Sequence, residues 1–143
     1  MKLAAILLAL LALTACGGHK TVSTSSPGEI ARAWSAALNR NDSEAAGRLF
    51  ADGAQVIQSD VETLATHADA VRWNSALPCG GKITLLEPQS GGKILAIFLL
   101  TERPHHICDA PGSKAAAVFQ VRNGKIVLWH QVDVPALPST QLA

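Results

Sequence analysis

Helical periodicity in the first half of the chain and strand alternation in the second predict an α+β domain: three N-terminal helices packed on a curved, mostly antiparallel sheet. Three observations carry this. Apolar residues recur at helical spacing after Ser26, a run of strand-like segments follows Cys79, and Asn123-Gly124 between two alternating segments is the strongest hairpin signal in the sequence.

The helix after Ser26 has a complete start signal. Ser26 can cap it, Pro27 fits its first turn, and Glu29 sits where a capping box needs a carboxylate. Ile30, Ala33, Trp34, Ala37 and Leu38 form its inner face and leave Arg32 and Arg40 outside. Asn41 is expected to start a second, shorter helix with Ala45, Ala46, Leu49 and Phe50 inward. Asp52-Gly53 is expected to turn the chain into a strand at 54–58, and 59–66 reads as a polar connection. Thr66 and Asp69 open a third helix, which Pro78 stops. Cys79-Gly80-Gly81 reads as a turn, followed by strands at 82–87 and 93–102. Residues 103–113, with two prolines, form an irregular excursion, and strands at 114–122 and 125–134 end the domain.

The start of the chain reads differently. Lys2 precedes an uncharged apolar run, Leu3 to Leu13, well short of the ~20 residues that span a bilayer. Leu13-Thr14-Ala15-Cys16 resembles the lipobox of bacterial lipoproteins. The resemblance implies cleavage before Cys16, diacylglycerol on its sulfur, and an anchor in a membrane of the bacterial cell envelope, facing outside the cytoplasm. The expected organisation is a signal peptide at 1–15, a lipidated Cys16 with a small polar tether to 26, the domain at 27–134, and a tail at 135–143. The formal charge is only +1, and no basic cluster accompanies the three tryptophans and three phenylalanines, so nucleic acid is not an expected partner. Outside the cytoplasm, Cys79 and Cys108 form an even pair, and a disulfide is expected. It would close a loop of roughly 30 residues, worth about 3–4 kcal/mol in the chain-entropy model. A reactive thiol or a metal ligand is the rival reading.

The order and spacing of AWSAALNRNDSEAAGRLFADGAQV, HADAVRWNSAL and FQVRNGKIVLWHQV resemble the SnoaL-like branch of the nuclear-transport-factor-two-like superfamily over about residues 27–134. The resemblance implies a cone whose helices and bent sheet enclose a mostly apolar pocket, often in a homodimer. Its steroid isomerases carry a Tyr oxyanion donor on the first helix, an Asp base at the end of the first strand and a protonated Asp in a late strand. Those positions fall on Trp34, Gln58 and Ala117, none of which can exchange a proton as that chemistry requires. The epoxide hydrolases need an Asp-Arg-Asp set around an attacking water. Asp60, Arg72 and Asp133 are the residue types present, but they match no motif position.

His130 is the principal remaining candidate for chemistry. Alternation along 126–134 places it with Ile126, Leu128, Val132 and Val134, where it reads as a core or pocket histidine or as a general base. His67 reads as a surface or rim residue. His105-His106-Ile107-Cys108-Asp109 has a metal-like composition, but two adjacent histidines point apart on an extended loop, and no metal or cofactor is expected. The expected pocket is lined by Trp34, Leu38, Ile57, Trp73, Leu77, Phe119, Leu128 and His130. The expected function is an envelope lipoprotein that binds a small apolar ligand or a protein partner without catalysis. The alternative is a SnoaL-like isomerase, cyclase or hydrolase acting on a small hydrophobic substrate, with His130 assisted by a carboxylate, Asp133 or Asp60. Cys16→Ser should leave an uncleaved or soluble precursor with no lipid mass on the mature chain; if this variant partitions into detergent like the parent, the lipobox reading is wrong.

Overall fold

A computed structural model describes residues 24–136. The apolar leader, Cys16, most of the tether and the tail from residue 137 lie outside the described residues. The elements run α1 (Pro27–Asn39), α2 (Ser43–Arg48), β1 (Phe50–Ile57), β2 (Val61–Leu64), α3 (His67–Ala76), β3 (Gly80–Gln89), β4 (Lys93–Thr101), β5 (Lys114–Arg122) and β6 (Lys125–Val132). The six strands form one sheet in the order β2-β1-β6-β5-β4-β3. β1 and β6 pair in parallel and the other neighbours are antiparallel, so the sheet is mixed. Among the described residues only α1 and α2 precede the sheet; α3 lies between β2 and β3, which corrects the expectation of three N-terminal helices.

Both long helices start as their sequences require. Ser26 Oγ accepts from the Glu29 amide at 3.3 Å, and the Ser26 amide donates to Glu29 Oε2 at 2.7 Å. Thr66 and Asp69 make the same reciprocal pair on α3. The inner face of α1 is rotated from the expected one, with Ala31 and Ser35 buried and Ala33 exposed. The cause is β3, which packs on that side: Ser35 Oγ donates to Gly81 O at 2.7 Å. Asn39 also pairs with Gly81 through both ends of its amide, Nδ2 to the carbonyl at 3.0 Å and Oδ1 from the amide at 2.8 Å. A side chain at Gly80 would collide with Asn39, and one at Gly81 would press on Phe98 at 3.1 Å. The two glycines are therefore the seat of α1 on the first residues of β3, rather than a turn.

Three further boundaries differ from expectation. Asp42, not Asn41, caps α2, accepting from the Ala45 amide at 2.9 Å while Asn41 takes the left-handed backbone at φ 59°. Asp52-Gly53 lies within β1, where the β1–β6 register shifts between Phe50 and Gln55 and Gly53 has φ 79°. The turn signal there marks a bulge. The stretch read as a polar connection contains β2, an edge strand with only Leu64 buried, and so it lacks the alternation that announces a strand.

The helices cover one face of the sheet, α1 on β3, β4 and β5, and α3 on β1 and β2. Beneath them all six aromatic residues of the chain meet. Trp34 touches Phe98, Phe119 and Trp129 with ring centroids 6.0, 5.3 and 6.0 Å away, and Trp73 lies 5.0 Å from Trp129 and 5.7 Å from Phe50. Trp34 Nε1 donates to Oδ1 of the fully buried Asn74 at 2.7 Å. Arg103, only 2% exposed, donates through Nη1 to Asn74 O at 2.9 Å and Leu77 O at 2.6 Å, and through Nη2 to Ser43 Oγ at 3.1 Å. It takes part in no ion pair among the described residues, and burial lowers its pKa from the ordinary arginine value.

Two predictions follow from the polar contacts of the fold. Arg103→Met leaves the last carbonyls of α3 buried without donors and should destabilise the domain by about 2–4 kcal/mol. Urea unfolding should show a lower midpoint with an unchanged slope; a loss below about 0.5 kcal/mol would contradict the role assigned to this side chain. The backbone and side chain of Ser26 lower the pKa of Glu29, and Thr66 and then Arg72 lower that of Asp69. A carboxylate with a depressed folded pKa stabilises the fold above its unfolded pKa, and that stability is lost as pH falls through the folded value. The stability gap between the wild type and a Glu29→Gln, Asp69→Asn double variant should therefore be full at neutral pH and close below the ordinary carboxylate range. A gap that persists into strong acid would contradict the capping boxes as its source.

Candidate functional site

A cavity of about 230 Å³ opens between α1, the α3–β3 connection and the helix-facing side of the sheet. Trp34 and Leu38 from α1, Leu77 from the end of α3, Phe98 from β4 and Trp129 from β6 supply its apolar walls. Gly80, Gly81, Ala115 and Ala117 leave the space open, because their side chains are absent or stop at Cβ, while Ala116 turns its methyl group to Leu95 and Ile97 on the other face of the sheet. Gln58 and Gln131 stand at its edge, where Gln58 Nε2 donates to Gln131 Oε1 at 3.2 Å. Cys79, joined to Cys108 by a disulfide with Cα atoms 4.5 Å apart, and Asp109 form the wall on the side of the 103–113 loop.

The disulfide takes both sulfurs of this region out of metal ligation. Cys79, Cys108 and Asp109 are the one grouping of potential ligand atoms among the described residues, and both sulfurs are spent on each other. His106 turns away from that grouping, with Nε2 3.1 Å from Asn41 Oδ1, and His105 takes φ 62°.

Of the eight expected pocket residues, Trp34, Leu38 and Leu77 line the cavity. Trp73 and Phe119 lie in the aromatic core. Ile57, Leu128 and His130 alternate with the buried Val56 and Trp129 and so occupy the opposite face of the sheet. The physical reason is a bulge: Gln120 faces Leu128 while Val121 faces Ile126, so Val127 is unopposed and the alternation shifts by one residue. Ile126 and Trp129 thereby both reach the core, and His130 lies beside Val118 outside it. His130 and Asp133 border a shallow polar groove with Gln58, Ser59 and Gln131. No hydrogen bond joins His130 to Asp133 or Asp60 among the described residues, and Asp60 is exposed in the β1–β2 turn. His67 is exposed on α3, with Nε2 2.9 Å from Glu44 Oε2, and Arg72 pairs with Asp69.

Trp34, Gln58 and Ala117, the three positions that the sequence resemblance assigns to the isomerase residues, all line this one cavity. Sequence reasoning missed Phe98, Asp109, Trp129 and Gln131. The alanine run on β5 was the available signal, since small residues opposite a helix leave room that only a packed structure can locate. The wall is also poor in free donors. Ser35 Oγ and Trp34 Nε1 are engaged as described, and Trp129 Nε1 has no nitrogen or oxygen partner among the described residues but is buried in the core.

No family model matches the chain, and no curated protein matches it in sequence. Solved structures do match it in fold. An NTF2-like protein from Cytophaga hutchinsonii has a TM-score of 0.61 at 10% identity, covering 77% of this chain and 92% of its own. A proposed polyketide cyclase from Sinorhizobium meliloti gives 0.60 at 17% identity, covering 72% and 93%. A protein with a ketosteroid isomerase-like fold from Catenulispora acidiphila, bound to trimethylamine, gives 0.58 at 19% identity, covering 76% and 86%. The chain has the α+β fold of the NTF2-like and SnoaL-like proteins.

Proposed function

We propose that this chain is a non-catalytic binding module of the bacterial cell envelope, lipid-anchored through Cys16, whose cavity takes a small, largely apolar molecule. The observation that carries the non-catalytic part is the convergence of Trp34, Gln58 and Ala117 on one cavity. The places where this fold can hold a phenol and two carboxylates hold an indole engaged with Asn74, an amide and a methyl group. None of them has a proton to exchange near neutral pH. The volume of about 230 Å³ lies below the ~300 Å³ at which drug-sized pockets begin, and its walls are chiefly aromatic and aliphatic, which fits a compact ligand. The lipobox and the disulfide agree on a compartment outside the cytoplasm.

Small neutral molecules such as cyclohexanol or 3,3-dimethylbutan-1-ol should perturb the tryptophan emission of the domain saturably, because two of the three tryptophans line the cavity. Ala115→Phe fills the cavity from the β5 wall and should weaken binding at least about tenfold, the scale of one or two buried methylene contacts. His130→Ala should leave binding unchanged, since His130 lies on the other face of the sheet. Saturable binding that survives Ala115→Phe but is lost in His130→Ala would move the site to the outer groove and overturn this reading.

A further inference from the structure

We infer that the polar end of the ligand is a cation, and that the cavity is built for a small alkylated ammonium; this rests on the cavity reading above and deepens it. Three features of the wall point the same way. Among the described residues its one charged side chain is the carboxylate of Asp109, and no Lys, Arg or His lines the space. Asp109 takes part in no ion pair among the described residues. Asp109 is exposed at the cavity edge, and its Oδ1 lies 3.4 Å from Cys79 Sγ, a disulfide sulfur without a proton to donate, so among the described residues no side-chain donor engages the carboxylate and it stays available to a cation at the mouth.

The second feature is the set of rings. Trp34, Phe98 and Trp129 line the cavity, and aromatic faces attract ammonium groups while offering methyl groups apolar contact. The third is the state of the donors. Ser35 Oγ donates to Gly81 O, the Gly81 amide to Asn39 Oδ1, and Trp34 Nε1 to Asn74 Oδ1. Trp129 Nε1 is sealed in the core. Among the described residues the one unoccupied side-chain donor of the buried wall, Trp129 Nε1, is itself inaccessible, so an anion or a carbonyl entering this space finds no side-chain donor within reach there, and a carboxylate ligand would also face Asp109. A methylated ammonium needs no hydrogen bond at all: it requires a low-charge aromatic wall and one carboxylate nearby. The exposed Gln58–Gln131 amides at the edge can meet a hydroxyl carried at the ligand's other end.

The test compares two molecules of nearly the same shape on the folded domain: choline and its neutral carbon analogue 3,3-dimethylbutan-1-ol, titrated calorimetrically and by tryptophan emission. The expected result is choline binding at least about tenfold tighter than the alcohol, with Asp109→Asn reducing choline to the affinity of the alcohol and leaving the alcohol unchanged. Equal binding of the two, or tighter binding of the alcohol or of acetate, overturns the cation assignment while leaving the cavity reading intact. Failure of both to bind at millimolar concentration overturns the cavity reading itself. The comparison on the wild type does not depend on the variant folding, and a choline preference that persists undiminished in Asp109→Asn removes the carboxylate from the proposal.

Discussion

The buried guanidinium of Arg103 is the constraint on which the rest of this structure depends. A helix end leaves carbonyls without partners, and the last turn of α3 directs those of Asn74 and Leu77 toward the interior, where Pro78 prevents another turn. Arg103 reaches back from the segment after β4 and supplies the missing donors at Asn74 and Leu77, with its positive charge at the negative end of the helix. Asn74 then presents its side chain to Trp34 on α1, and Ser43 at the start of α2 takes the remaining guanidinium bond. One cation thus fixes three helices relative to one another and relative to the sheet. Its counterpart is a set of oriented dipoles rather than a carboxylate, so the arrangement is directional: moving α2 or α3 breaks a bond at a buried charge, and moving α1 breaks the indole bond to Asn74.

The aromatic cluster and the cavity are two results of the same packing. Three indoles and three phenyl rings occupy the middle of the helix–sheet interface, and rings of that size hold the two layers apart. Where the opposing surface carries large residues, as at Phe119, the gap is filled. Toward β3 and the start of β5 it carries glycine and alanine, and the gap remains as the cavity. The position of the site therefore follows from a gradient of side-chain size along the sheet, with no strained backbone required to create it.

Local grammar made much of this fold readable in the sequence. Two capping boxes, the Asn123-Gly124 turn and the proline after α3 each act over a few residues and hold in the structure. The failures are places where distant chain decides a local state. Asp52-Gly53 has turn chemistry, but pairing with β6 makes it a bulge inside a strand. Val127 looks like any strand valine, and only its lack of an opposing residue on β5 shifts the alternation that placed His130. Arg103 sits between a glutamate and a proline in an irregular stretch, where an arginine reads as solvated. No pattern within its own segment announces that a helix end lies within reach. The positions taken from resemblance, Trp34, Gln58 and Ala117, came together because they follow the fold and not the local periodicity.

The disulfide has a consequence for how the chain reaches this structure. Cys79 immediately precedes β3 and Cys108 follows β4, so the bond and the turn at 90–92 close the two strands into a covalent ring. In the oxidised chain those strands cannot diffuse apart even when unfolded, and the pairing search along β3 and β4 becomes short-range. The parallel contact between β1 and β6, which joins residues as distant as Phe50 and Ile126, has no such help and carries the largest closure entropy in the sheet. Refolding with the bond intact should thus begin from a pre-organised ring and be limited by that long-range pairing. The reduced chain must find both, which makes the order of thiol oxidation and sheet closure a determinant of folding yield.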